Sequence, residues 1–247
     1  LYLPAVPQTL SKIQEKLQLS LFQSAPTITI ERDDPALLKV RSLVSEKIPA
    51  TALSIIIDWF RTNQVFLLVT SGRRTKSGDF RPPKNGSLPV ISVNKTLNEY
   101  AFLITLVHEM AHFHVFEKHH KPAFLKRRRR VAPHGKEWKE DFRQLMNPFL
   151  RLDIFPEKIL QALTAHMQNP RASTYSDPQL ARLLLEFDNP VTGILIEELS
   201  DGAHFTTASG MLFRKEKKLR RRYRCICQKD RKIYLFSPLA RVFPADT

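Results

Sequence analysis

The chain has two cysteines, Cys225 and Cys227, in 247 residues. That scarcity excludes a disulfide-stapled scaffold, which needs cysteine pairs at high density. Long apolar runs are missing as well: no stretch of 18 apolar residues occurs, so no transmembrane helix is expected, and residues 1–20 lack the sustained apolar core of a signal peptide. A reducing, cytoplasmic compartment is the resulting expectation, nucleoid-associated if the source is bacterial. Acidic residues are short: 24 Asp and Glu face 39 Lys and Arg, a formal net charge of +15. Hydrophobic residues make up 43% of the chain, enough for a packed core in one large domain or two modest ones.

What is present centres on TLVHEMAH at residues 105–112. It sets His108, Glu109 and His112 in the H-E-x-x-H order. On a helix, residues four apart share a face, so both imidazoles reach one metal while Glu109 sits one position round, beside any water on that metal. A carboxylate there can take a proton from the water and return it to a leaving amine. The residues before the motif, AFLITLV at 101–107, are apolar on nearly every face and predict a helix inside a core. Thr96 and Glu99 match a capping box for its start, and Lys118, His119, His120, Lys121 and Pro122 supply cations and a stop at its end.

Two histidines leave a catalytic zinc one protein ligand short. The metzincin pattern would need glycine at 115 and histidine at 118, where this chain has Val115 and Lys118. His134, in APHGKEWK at 132–139, is the favoured third ligand. It stands at the opening turn of a second helix whose Trp138, Phe142 and Leu145 recur at helical spacing and pack it on the first. The alternatives are that His134 merely caps this helix, or that Glu137 or Glu140 is the third ligand, since some zincins use a carboxylate.

TLVHEMAH followed by APHGKEWK, with RTKSGDFR at 74–81 and Val93-Asn94 upstream, resembles the SprT-like metallopeptidase family, whose relatives include the Spartan proteases that digest proteins crosslinked to DNA. The resemblance spans residues 51–150. It implies an α+β zincin-like core, one catalytic zinc on His108, His112 and His134, and Glu109 as the catalytic base. Family members often carry a C-terminal zinc ribbon with four cysteines. This chain offers only Cys225 and Cys227 there, so a second, structural zinc is not expected.

The rest of the chain divides into an N-terminal helical extension (1–45), the metallopeptidase core (46–150), a helical connector (151–190) and a small basic antiparallel β domain (191–247). In the extension, Leu10, Ile13, Leu17 and Leu21 form one helical stripe, residues 27–30 a short strand, and Asp34-Pro35 a helix start. Within the core, apolar runs at 65–69 and 88–93 predict strands joined by a long basic turn, and the 88–93 run predicts an edge for an extended peptide. Ser176 or Asp177 predicts the cap of a helix that buries Ala181, Leu184 and Leu185. In the β domain a strand over 219–227 sets Tyr223, Cys225 and Cys227 on one face and Arg222, Arg224 and Ile226 on the other; both thiols read as buried hydrophobes, the alternative being a metal site completed by His204 or a partner chain.

Basic charge is concentrated in two places: residues 118–136, including Lys126, Arg127, Arg128, Arg129 and Arg130, and residues 214–224, including Arg220, Arg221, Arg222 and Arg224. Such runs draw in phosphate backbones independently of sequence. The expectation is a zinc metalloendopeptidase acting on DNA-associated proteins, with no membrane partner. Against it stand a zinc-containing nucleic-acid-binding protein without protease activity and a general aminopeptidase or amidase. Tyr100 and His114 are oxyanion candidates that read more simply as packed helix residues.

Overall fold

A computed structural model of the chain describes residues 34–71, 76–119, 131–188 and 193–245. The expected stripe at residues 10–21, the strand at 27–30 and the bases Lys126 to Arg130 lie outside these. Residues 1–36 form one compact unit, represented here only by the start of a helix, and residues 37–247 form another that holds everything below. The architecture is α+β. Among the described residues six α-helices accompany a three-stranded and a six-stranded sheet.

Helix α3 (Glu99–His119) is the centre of the larger unit. Every residue from 101 to 111 is buried, so the helix must be covered on all sides. One cover is the sheet β1 (Phe66–Thr70), β2 (Gly78–Arg81) and β3 (Val90–Asn94), in the order β1-β3-β2. Another is α4 (Lys136–Met146), which buries Trp138, Phe142 and Met146. Helix α2 (Leu53–Thr62) adds Trp59, whose ring meets Phe113 edge-on at 5.5 Å. Helices α1 (Pro35–Val44), α5 (Glu157–Gln168) and α6 (Pro178–Leu185) complete the layer, placing Val40, Val44, Ile159, Leu163, Leu180 and Leu184 in the same core. Asp177 caps α6 as expected, accepting from the Gln179 and Leu180 N–H groups.

Three local expectations are corrected. The cap of α3 is Asn98, not the Thr96–Glu99 box: Asn98 Oδ1 accepts from the Ala101 N–H at 2.9 Å. Thr96 is unavailable because its N–H and hydroxyl both donate to Asn94 Oδ1, at 3.1 and 3.0 Å. Second, β1 and β3 run parallel rather than as a hairpin, because the basic stretch between them supplies β2, which pairs antiparallel on the far side of β3. The sheet edge beside α3 therefore belongs to β2, and β3 is the central strand. Third, the 219–227 run breaks at 219–222, which turns the chain between β6 (Leu212–Lys218) and β7 (Tyr223–Cys227).

The C-terminal strands form an antiparallel sheet in the order β4-β9-β5-β6-β7-β8, with β4 Ile194–Leu195, β5 His204–Thr206, β8 Ile233–Phe236 and β9 Arg241–Ala245. Its core holds Phe205, Phe213, Tyr223, Val242 and both cysteines, which alternate inward on β7 as the period-two pattern predicts. Arg182 of α6 grips Glu197 with two hydrogen bonds, of 3.0 and 2.9 Å, tying this domain to the helical layer.

Asn98 also donates to Leu184 O and Asp188 Oδ1, both at 2.7 Å. Asn98→Ala should therefore cost about 1–3 kcal/mol, the loss of a cap plus two half-buried tertiary hydrogen bonds. Thr96→Ala should cost less. Denaturant midpoints compare the two, and equal losses would return the cap to Thr96.

Candidate metal centre

His108 and His112 stand one turn apart on α3, with Nε2 atoms 3.2 Å apart. The third histidine arrives from a tight turn: Gly135 N–H donates to Ala132 O at 3.0 Å, and α4 then opens with Gly135 as its N-cap residue. That turn sets His134 Nε2 at 3.1 Å from His112 Nε2 and 3.3 Å from His108 Nε2. Among the described residues these three form the cluster able to hold a metal ion. A tetrahedral ion with metal–nitrogen bonds of 2.0–2.1 Å spaces its ligands about 3.3–3.4 Å apart, so the donor triangle fits a zinc-sized ion. Glu137 and Glu140 do not join it: both are exposed, and Glu140 is engaged by Gln144 and Arg143.

Trp138 is the platform under the cluster. Fully buried, its ring lies 4.6, 5.5 and 4.7 Å from those of His108, His112 and His134, and its Nε1 donates to His108 O. Phe142 stacks behind it at 4.9 Å. Lys118 and the buried Asp141 join the end of α3 to α4. Burial holds all three imidazoles below their ordinary range, His112 down to about 4 and His108 well below normal, with the neighbouring rings adding repulsion at both. A neutral imidazole is the metal-ligating form.

Glu109 is buried beside the triad in a cleft of about 760 Å³. Burial, then the Asp79 carboxylate, push its pKa up to about 8; a hydrogen bond from the Phe80 backbone and the charge of Lys76 oppose the rise. A cation on the histidines would pull it back down by simple attraction. One wall of the cleft is β2 and the residues before it, and the other includes Ala172, Ser173 and Thr174. Gly78 is the closest approach: a Cβ there would lie 2.6 Å from Glu109 Oε1 and 2.7 Å from Thr105 Cγ2.

The sequence pattern pointed to the triad and Glu109; Gly78 and Asp79 stood out only as part of the 74–81 segment, and the 172–174 wall gave no signal. The position of Gly78 on β2 against α3 shows why a side chain is excluded there. Tyr100 packs on Phe155 and Phe187, and His114 accepts from Trp59 Nε1 at 3.1 Å; neither lines the cleft. Among the DNA-facing candidates, Arg220, Arg221 and Arg222 are exposed in the β6–β7 turn, so Arg222 is not on the strand face expected of it. Arg224 does lie on that face, paired with Glu216.

No family model matches the chain, and neither a curated protein nor a solved structure matches it.

Glu109 generates a stability prediction. A carboxyl with a pKa near 8 when folded and about 4.3 when unfolded contributes stability at low pH that is lost as pH rises through that window. His112 acts the other way, losing stability as pH falls from about 6.5 toward 4. In chelator-treated protein, Glu109→Gln should therefore stabilise at pH 8, by about 2–4 kcal/mol, and much less at pH 5. Chemical denaturation at the two pH values measures this, and a pH-independent difference would contradict it.

Proposed function

We propose that the chain is a zinc-dependent metalloendopeptidase of the SprT-like class that acts in the cytoplasm on DNA-associated or DNA-crosslinked proteins. The observation that carries this reading is the convergence of three imidazole nitrogens within 3.1–3.3 Å beside one buried carboxylate, in a cleft bordered by a strand edge. His108, His112 and His134 hold the ion. When bound, zinc supplies Lewis acidity, polarising a carbonyl and acidifying water.

The chain's own groups do the rest. Glu109 accepts the proton of the attacking water and delivers it to the departing amine, a role suited to a carboxylate whose pKa its surroundings raise toward neutrality. The β2 edge orients the substrate. Asn94 N–H donates to Ser77 O, so the antiparallel alternation turns the main-chain groups of Gly78 and Phe80 away from β3 and toward the cleft. An extended peptide laid along β2 presents its backbone to Glu109, which replaces the 88–93 run as the expected substrate edge. Arg220, Arg221 and Arg222, together with the Lys126 to Arg130 stretch, supply sequence-independent attraction to phosphate and bring the enzyme to DNA.

Zinc-loaded protein should cleave a DNA-bound basic protein, faster with DNA present, and folded, zinc-retaining Glu109→Gln should not cleave it. Salt-sensitive DNA binding without cleavage in any condition would favour the non-proteolytic zinc protein instead. Gly78→Ala should lower turnover by about 100-fold through displacement of Glu109, with one zinc still bound. Unchanged turnover in that variant would separate Glu109 from the chemistry.

A further inference from the structure

The six-stranded sheet ends on an open edge. Strand β8 pairs with β7, and among the described residues no strand pairs on its other side. The bond from Cys227 N–H to Lys232 O fixes the phase of the ladder. From it, Tyr234 and Phe236 turn their main-chain groups to β7, while Ile233 and Leu235 turn theirs outward. The side chains of these two outward-bonding residues are 55% and 49% exposed. Beside them on the same face come Ile226 and Arg224 of β7, by register. An exposed apolar edge of this kind is a template for another strand.

Charge surrounds the edge. Lys229, Arg231 and Lys232 are exposed at its start; Lys217, Lys218, Arg220, Arg221 and Arg222 are exposed around the β6–β7 turn, near its end. On the face itself, Arg214 and Arg224 share Glu216. The rings of the domain core, Phe205, Phe213, Tyr223, Tyr234 and Phe236, pack inward, so the β6–β8 face offers no aromatic platform for stacking bases. A second copy of the chain would bring one basic frame against another, a repulsive pairing.

We infer that the β8 edge receives an extended acidic peptide segment as an added strand. Its alternate apolar residues lie beside Ile233 and Leu235, its backbone bonds the outward N–H and C=O groups of those two residues, and its acidic flanks meet the basic clusters at either end. This surface is separate from the metal cleft and does not depend on hydrolysis; at Arg220, Arg221 and Arg222 the peptide's acidic flank and DNA phosphate compete for the same cations.

The test uses the full, zinc-loaded chain and a fluorescent peptide of alternating valine and serine with glutamates at both ends, beside a lysine-flanked counterpart and oligothymidylate. Fluorescence anisotropy should show salt-sensitive binding of the glutamate-flanked peptide and none of the lysine-flanked one. Leu235→Pro removes an outward N–H without breaking the β7 ladder, and should weaken that binding at least about tenfold. If the proline variant unfolds by circular dichroism, Leu235→Glu, which keeps the ladder and repels the peptide, should give the same loss. Equal binding of both peptides, or binding indifferent to residue 235, would overturn the inference. So would oligothymidylate binding that Leu235→Glu abolishes in the absence of peptide binding, or a dimer by light scattering that Leu235→Glu dissolves.

Discussion

Three imidazoles, His108 buried and His112 and His134 half-buried, point their Nε2 atoms at one spot, 3.1–3.3 Å apart. Each ring can bring either one N–H or one lone pair to that spot, and only a cation accepts three lone pairs together. Burial also makes protonation of the rings unfavourable, which leaves a metal ion as the partner the arrangement suits. Glu109 belongs to the same electrostatic unit. Without a cation, burial and then the Asp79 carboxylate push it toward its neutral form; with one, ionisation is favoured and it can exchange a proton with water.

The fold makes this cluster rigid by wrapping a helix that has no exposed face through its middle. Sheet, α4 and Trp59 cover α3 from different sides, and Trp138 lies against all three ligand rings at once. Asn98 fixes the start of α3 to α6, and Lys118 with Asp141 fixes its end to α4. Two ligands come from one helix and the third from the turn before another. Their separation therefore depends on the α3–α4 contact, and anything that loosens Trp138 would loosen the triangle.

Much of this was legible in the sequence, for identifiable reasons. The i, i+4 spacing of His108 and His112 is a helical property, and the all-apolar stretch before it told of burial. Trp138 and Phe142 at helical spacing oriented His134. Both cysteines could be placed inward by strand alternation alone. What escaped required long-range contacts. The parallel pairing of β1 with β3 depends on where β2 lands, and β2 has no apolar run to announce it. Asn98 displaced Thr96 as cap because its amide has partners on α6, far away in sequence. Within the basic run at 214–224 Lys215 is buried, its Nζ bonded to Leu199 O and lying 4.1 Å from the Tyr223 ring centre. A charge count cannot show that alternation.

Zinc-edge X-ray absorption on protein loaded with one equivalent of zinc tests the centre most directly. Three imidazole nitrogens at about 2.0–2.1 Å and one further oxygen are expected, with one imidazole lost in each of His108→Ala, His112→Ala and His134→Ala. A sulfur shell, or an imidazole count unchanged by His134→Ala, would contradict the triad as the metal centre.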